Sequence, residues 1–177
     1  MRRERGVSLP GLMLTLTLAA ILTTLAAPVF SGIAADARLQ SGTERLYMAF
    51  WYARSEAIMR GRTVVVAARD GDWGSGWQIF VDASRDGHRQ RGEDLLRRSE
   101  GPGPTLSVQA NAGIGTAVHY RADGRTRRPS GSLQMGTVVL CHGAAEDADR
   151  RGQGVIINAA GRPRITGDPP RMDDGRC

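Results

Sequence analysis

The sequence predicts an α+β protein in which a long N-terminal helix packs on a small antiparallel β-sheet head. Three observations predict this class. An uncharged, largely apolar stretch runs from Gly6 to Ala35, a helical pattern of apolar residues continues to Arg60, and short β-branched or aromatic runs fill the remainder. The 177 residues suit one domain with an appendage, so the length excludes a multidomain enzyme.

The N-terminal apolar stretch predicts a transmembrane helix over residues 7–30. A helix of that length would measure about 36 Å, which is enough to cross the hydrocarbon core of a bilayer. Arg2, Arg3 and Arg5 precede it, and this basic flank predicts a cytoplasmic N-terminus. A cleaved secretory signal, with a small-residue cleavage site at Ala26-Ala27-Pro28, is the alternative.

An amphipathic continuation of the helix is predicted over residues 31–61. Pro28 and Gly32 are candidate kink points, and Gly61 is a plausible helix stop. A cleaved signal would not need this continuity, so the pattern favours a retained anchor. The apolar residues that share one helical face are Leu39, Leu46, Phe50, Ala53 and Ala57. The charged residues expected on the other faces are Asp36, Arg38, Glu44, Arg45, Arg54, Glu56 and Arg60.

Residues 62–177 are predicted to form the β-rich head. The candidate strands, separated by Gly- and Pro-rich breaks, are Thr63–Ala68, Trp77–Val81, Leu95–Ser99, Leu106–Ala110, Ala117–Tyr120, Gly136–Leu140 and Val155–Asn158. Trp73 and Trp77 are expected in the core or at a turn. His88, His119 and His142 are scattered and match no catalytic motif, so no enzymatic activity is predicted.

Several motifs together resemble a known family, the FimT/GspH minor pilins and pseudopilins of the type IV pilin-like proteins. The motifs that carry the resemblance are Arg5-Gly6-Val7-Ser8-Leu9, Ala53-Arg54-Ser55-Glu56-Ala57-Ile58, Asp72-Trp73-Gly74-Ser75-Gly76-Trp77, Asp86-Gly87, Leu140-Cys141 and Gly161-Arg162. They occur in the family order along nearly the whole chain, which is more specific than any single motif.

The resemblance implies processing and membrane attachment. A prepilin peptidase would remove a leader of residues 1–6 by cutting between Gly6 and Val7, and the new amine of Val7 would be methylated. The mature chain would then be a single-pass inner-membrane protein with a periplasmic head, assembled with other pilins or pseudopilins. Gly11 stands where the family usually has a glutamate, so pairing of that carboxylate with a neighbouring amine is not available here. No cofactor is implied.

Two functions are compatible with the resemblance. The first is a structural subunit of a type II secretion pseudopilus or a type IV pilus, which serves filament assembly and protein secretion. The second is DNA capture for natural transformation, because some family members bind DNA through a Gly-Arg-x-Arg motif matched here by Gly161-Arg162-Pro163-Arg164. Two arginines flanking a proline in an extended segment would both project outwards and contact phosphates without reading bases.

Ordinary solvated arginines are the alternative to a DNA site. The 24 basic residues are all arginine, the formal net charge is +6, and the charge is dispersed along the chain. The arginines that would widen a basic surface if the fold gathered them are Arg125, Arg127, Arg128, Arg150, Arg151 and Arg171.

A disulfide between Cys141 and Cys177 is expected for a domain outside the cytoplasm, and it would close a loop of about 36 residues. Two free thiols are the alternative, and neither cysteine has the context of a catalytic nucleophile.

The segment from Asp82 to Glu93 has the spacing of a calcium loop, with candidate oxygen ligands at Asp82, Ser84, Asp86 and Glu93. A strand instead of a helix leads into it, and three arginines inside it oppose a dication. The alternative is a β-hairpin loop held by Asx-type turns. No other metal site is predicted.

Overall fold

The computed structural model describes residues 9–142 and 151–167, with the side chains of residues 23–31 left aside. The described residues form one helix and eight strands. These are α1 (Leu9–Arg60), β1 (Val64–Arg69), β2 (Asp72–Val81), β3 (Leu95–Glu100), β4 (Leu106–Ala110), β5 (Ala117–Tyr120), β6 (Gly136–His142), β7 (Arg151–Ile157) and β8 (Pro163–Thr166). The chain divides into two compact units between Ala37 and Arg38.

The first unit contains the N-terminal part of α1, whose apolar side chains are exposed. The hydroxyl of Thr15 donates to the carbonyl of Leu12 at 2.8 Å, and the hydroxyl of Thr17 donates to the carbonyl of Leu14 at 2.9 Å. These bonds satisfy the two threonine hydroxyls with backbone carbonyls of the same helix. The apolar residues that are at least half exposed are Leu9, Leu12, Met13, Leu14, Leu16, Leu18, Ile21 and Leu22. Within the described residues, no helix combines the length and mean hydropathy expected of a membrane-spanning segment.

In the second unit, the stripe predicted for α1 is confirmed, because all five of its residues are buried. Glu56 differs from the prediction that the charged residues avoid this side. It is 9% exposed, and its carboxylate accepts a hydrogen bond from Nε of Arg60 at 2.6 Å, which explains how a charged group is tolerated there.

Gly61 ends α1, as predicted. It has φ +62°, its N–H donates to the carbonyl of Ile58, and the N–H of Arg62 donates to the carbonyl of Ala57, both at 3.3 Å. This pair of bonds is the Schellman motif, which requires a left-handed residue and therefore favours glycine.

The strands form two four-stranded antiparallel sheets with the orders β3-β2-β1-β5 and β4-β6-β7-β8. The predicted α+β class, a long helix packed on antiparallel β structure, is confirmed, and the head contains two sheets instead of one. All seven expected strands are present, although several are longer than expected. The sequence pattern did not indicate β8, because proline cannot donate to a ladder and counts against a strand. Pro163 is tolerated because it is the first residue of an edge strand, paired with Ile157.

The core lies where the buried stripe of α1 meets the inner faces of both sheets. It is one continuous cluster that includes Phe50 from the helix, Val66 and Trp77 from the first sheet, and Leu140 from the second. Gly42 permits close approach of the helix, since a Cβ at that position would lie 3.0 Å from a methyl group of Leu140. The head therefore depends on the helix for its core.

Candidate functional site

The Gly-Arg-Pro-Arg motif forms the turn and edge strand at the end of β7. The N–H of Gly161 donates to the carbonyl of Asn158 at 2.8 Å, and the N–H of Arg162 donates to the side-chain oxygen of Asn158 at 3.0 Å. Asn158 is suited to this position because its side chain can replace a backbone acceptor in a turn. The turn is therefore specified locally.

The two arginines of the motif lie on one exposed face. Arg162 and Arg164 are exposed, whereas Pro163 between them is buried. This is the alternation expected of an extended segment. Among the described residues, neither arginine side chain has an ion pair, so both charges are available to an external anion.

A second turn, over residues 121–125, packs directly against the motif. The N–H of Gly124 donates to the carbonyl of Arg121 at 2.8 Å, and the carbonyl of Gly124 accepts a hydrogen bond from Nε of Arg54 at 3.0 Å. A Cβ on Gly161 would lie 2.0 Å from that same carbonyl oxygen, and Gly161 has φ +74°. Gly161 is therefore needed for the packing of the two turns, whatever the motif binds.

Arg54 joins α1 to the 121–125 turn. Its guanidinium carbon also lies 5.3 Å from the ring centroid of Trp51, so the side chain is held between an aromatic ring and a backbone carbonyl. Its place on the charged side of the helix was predicted from sequence, but this contact was not. No local pattern reveals it, because Gly124 is 70 residues further along the chain.

The fold gathers few of the arginines expected to widen the surface. Arg125 lies on the second turn and is exposed. Arg127 donates to the carbonyl of Gly131, and Arg128 donates to the carbonyls of Ala112 and Gly113, so both support other loops. Arg151 begins β7 and lies at the opposite end of that strand from the motif. Arg150 and Arg171 lie outside the described residues.

The candidate calcium loop is held by its own carboxylates. Oδ1 of Asp82 accepts from the hydroxyl of Ser84 and the N–H of Arg85, and Oδ2 accepts from the N–H of Gly87. One oxygen of Asp86 accepts from the N–H of His88. These are the Asx-type contacts of the hairpin-loop alternative. In the part of the chain that is described, no group of three or more His, Cys, Asp or Glu residues could hold a metal ion.

Glu93 closes this loop from its far end. Its Oε1 accepts from the N–H groups of Ala83 and Ser84, and its Oε2 accepts from the N–H of Gln90. Partial burial acts to raise the pKa of Glu93, but these hydrogen bonds outweigh it and hold the pKa below its ordinary value. The charged form of Glu93 therefore stabilises the loop.

His119, on β5, packs against the same loop at Gly87. Its Nδ1 lies 3.2 Å from Oε1 of Gln134, whose amide nitrogen donates to two backbone carbonyls. That oxygen can only accept, so Nδ1 carries the proton. A Cβ at Gly87 would lie 2.5 Å from Nε2 of His119. Burial lowers the pKa of His119, which favours its neutral form and a structural role.

The two tryptophans singled out in the sequence have structural positions. Trp73 and Trp77 are buried in the core, and Nε1 of Trp73 donates to the carbonyl of Gly115 at 2.8 Å.

Cys141 is buried in β6, but Cys177 lies outside the described residues, so the disulfide stays a prediction. Gly6 and Val7 also lie outside them, and their processing stays a prediction.

The architecture is that of a pilin-like protein, with one long N-terminal helix whose second half completes the core of antiparallel sheets. The family model described as type II transport protein GspH matches residues 42–161. The chain therefore belongs to the GspH family of minor pilins and pseudopilins, whose members are structural proteins.

Two solved structures are similar, and both are crystal forms of the type IV minor pilin FimU from Pseudomonas aeruginosa strain PAO1. The P21 form is 30% identical with a TM-score of 0.57, and the match covers 74% of this chain and 88% of that one. The P65 form is 27% identical with the same TM-score, covering 76% and 98%. No curated protein sequence shows significant similarity to the chain.

Replacing Gly161 by alanine should destabilise the protein more than replacing Gly61. Both glycines have positive φ, but a Cβ at Gly61 would meet nothing within 4 Å. We expect Gly61→Ala to cost about 1–2 kcal/mol from backbone strain. Gly161→Ala should cost about 1–3 kcal/mol more because of overpacking. Urea unfolding of both variants measures the difference, and equal losses would contradict the packing of the two turns.

Glu93→Gln should reduce the dependence of stability on acid pH. Because folding lowers the pKa of Glu93, the unfolded chain binds more protons, and the stabilisation is present above the ordinary value near 4.5 and lost as pH falls through the lowered value. Urea unfolding between pH 3 and 7 should therefore show a flatter acid limb in the variant. Glu100→Gln, at an exposed position on β3, is the control and should retain the wild-type slope.

Proposed function

We propose that this protein is a structural minor subunit of a pilus-type filament, anchored by α1 in the inner membrane with its head in the periplasm. The observation that carries the proposal is the exposed apolar surface of α1 between residues 9 and 22, none of which belongs to the hydrophobic core of the described residues. Large exposed apolar surfaces mark interaction sites with other proteins or with membranes. The hydroxyls of Thr15 and Thr17 bond within the helix, which suits an apolar surrounding.

The head offers a second surface for assembly. A groove of about 1040 Å³ lies beside α1, and Tyr47, Met48, Trp51 and Tyr52 from the helix line it together with Ile165 from β8. Met48 is 61% exposed, because it lies two residues from both Leu46 and Phe50 and therefore on a side of α1 away from the buried stripe. Aromatic side chains and Met are enriched in protein interfaces. We assign this groove to contact with a neighbouring filament subunit.

A type IV pilus is favoured over a secretion pseudopilus as the destination. The similarity to the minor pilin FimU supports the pilus, while the GspH family model leaves both machines open. In either machine, a prepilin peptidase would cut between Gly6 and Val7 before assembly. Gly11 brings no carboxylate to the membrane helix, so incorporation of the subunit into the filament would depend on apolar packing and on contacts of the head.

Met48→Glu should reduce incorporation into filaments without unfolding the head. The charge would lie in the groove, where contact with a neighbour would desolvate it. We expect the fraction of the subunit that co-purifies with sheared filaments, relative to its total cellular amount, to fall at least about fivefold. Met59→Glu is the matched control, since Met59 is 71% exposed and lies outside the groove. Equal incorporation of the two variants would contradict the assignment of the groove.

DNA capture for natural transformation is the second candidate function. The observation that favours it is the exposure of Arg162 and Arg164 on one face with Pro163 buried between them. Two positive charges on one face of an edge strand suit phosphates, and a short motif with no means of reading bases would bind without sequence specificity. This function is compatible with a place in the filament.

Arg162→Ala combined with Arg164→Ala should weaken DNA binding beyond the effect of the reduced net charge. The full chain in non-ionic detergent would be titrated with a labelled duplex over a salt series. We expect the affinity to fall at least about tenfold and the salt slope to drop by about two, because each arginine would neutralise one phosphate. Arg45→Ala with Arg98→Ala removes the same charge from exposed positions elsewhere. Equal reductions in both pairs would indicate an unspecialised basic surface.

A further inference from the structure

A second group of arginines borders an open cavity of about 490 Å³ beside the C-terminal end of α1. The lining comes from the connection after the helix, the loop between β2 and β3, and the turn that follows β5. The lining residues are Gly61, Arg62, Thr63, Asp82, Ala83, Arg85, Arg121, Ala122 and Asp123. The cavity is distinct from the Gly-Arg-Pro-Arg motif, none of whose residues lines it.

Three arginines reach this cavity from three separate parts of the chain. Arg62, Arg85 and Arg121 are all exposed, and within residues 9–142 and 151–167 none of them has an ion pair. Arg85 belongs to the loop whose shape is set by Asp82, since the N–H of Arg85 donates to Oδ1 of Asp82 at 2.7 Å. The loop therefore fixes the backbone position from which Arg85 lines the cavity.

The two acidic residues of the lining are engaged in their own turns. Asp82 is 2% exposed and accepts three hydrogen bonds from Ser84, Arg85 and Gly87. Asp123 accepts from the N–H of Arg125 at 3.0 Å. Three arginines against two carboxylates, one of which is buried and accepts three hydrogen bonds, make the cavity suitable for an anion.

The cavity and the motif adjoin the same turn. Asp123 lines the cavity, and the next residue, Gly124, has the carbonyl that a Cβ on Gly161 would approach to 2.0 Å. Exposed Arg125 follows on that turn. The cavity, the 121–125 turn and the motif therefore adjoin one another, and each carries at least one exposed arginine.

We propose that this cavity binds a backbone phosphate of a DNA strand whose neighbouring phosphates contact Arg162 and Arg164. The proposal rests on the DNA-capture function and extends it from one short motif to a continuous path. Arginine suits the task because its planar guanidinium donates several hydrogen bonds to one phosphate. The lining offers no aromatic side chain for base stacking, so this contact would recognise the backbone alone.

The test removes the three charges of the cavity with Arg62→Gln, Arg85→Asn and Arg121→Gln. Asparagine is chosen at position 85 because Arg85 has φ +62°, a conformation that asparagine tolerates. The full chain in non-ionic detergent would be titrated with a labelled duplex over a salt series. We expect affinity to fall about tenfold or more, and the salt slope to drop by about one, because one phosphate would no longer be neutralised.

The matched control replaces Arg38, Arg45 and Arg98 by glutamine, which removes equal charge at exposed positions away from the cavity. If affinity and slope fall equally in both triple variants, the cavity proposal is overturned. Asp123→Asn provides a change of opposite sign, because it removes a negative charge from the lining while keeping the acceptor for Arg125. We expect tighter binding from it, and unchanged or weaker binding would count against the site.

The two proposals fail differently in these titrations. If the variant of Arg162 and Arg164 no longer binds DNA but the cavity variant matches its control, the capture function stands and the cavity proposal falls. If the wild-type chain binds no duplex even at low salt, both fall together. Thermal unfolding of each variant separates loss of binding from loss of fold.

Discussion

The buried stripe of α1 is the interaction on which the rest of the head depends. Neither sheet closes a core alone, and the cluster that unites their inner faces contains Leu46, Phe50 and Ala53 of the helix. Phe50 lies 5.9 Å from the ring of Trp73, whose indole nitrogen is bonded to the backbone of another loop. Because the same helix carries Arg54, its docking also fixes the carbonyl of Gly124 and, through it, the position of Gly161.

Much of this fold could be predicted from sequence wherever the determining pattern is local. The period of the apolar residues in α1 indicated the buried face, and Gly61 indicated its end, because both depend on neighbours within one or two turns. The number of sheets could not be predicted in this way. β1 pairs with β5, about 50 residues further along the chain, and no local pattern specifies such pairing.

The candidate site also has features that a local sequence pattern predicts and features that depend on long-range contacts. Exposure of Arg162 and Arg164 follows from alternation about Pro163, and could be expected from four residues. The contact of Arg54 with the 121–125 turn, and the meeting of Arg62, Arg85 and Arg121 at one cavity, depend on tertiary structure alone. The calcium-like spacing predicted Asp82, Asp86 and Glu93 as candidate ligands. In the structure each of these carboxylates accepts a hydrogen bond from a backbone N–H group of the same loop.

The two proposed functions need not compete for one surface, because β8 separates them. Directly paired residues of antiparallel strands share a face, and Ile165 pairs with Val155, whose side chain is in the core cluster. Ile165 accordingly lies on the helix side, where it lines the groove assigned to a neighbouring subunit. Arg164 pairs with Ile156 and lies on the opposite face. A subunit held through the groove would therefore keep its motif arginines open, and the strand that completes the assembly surface would also present the charges proposed to hold DNA.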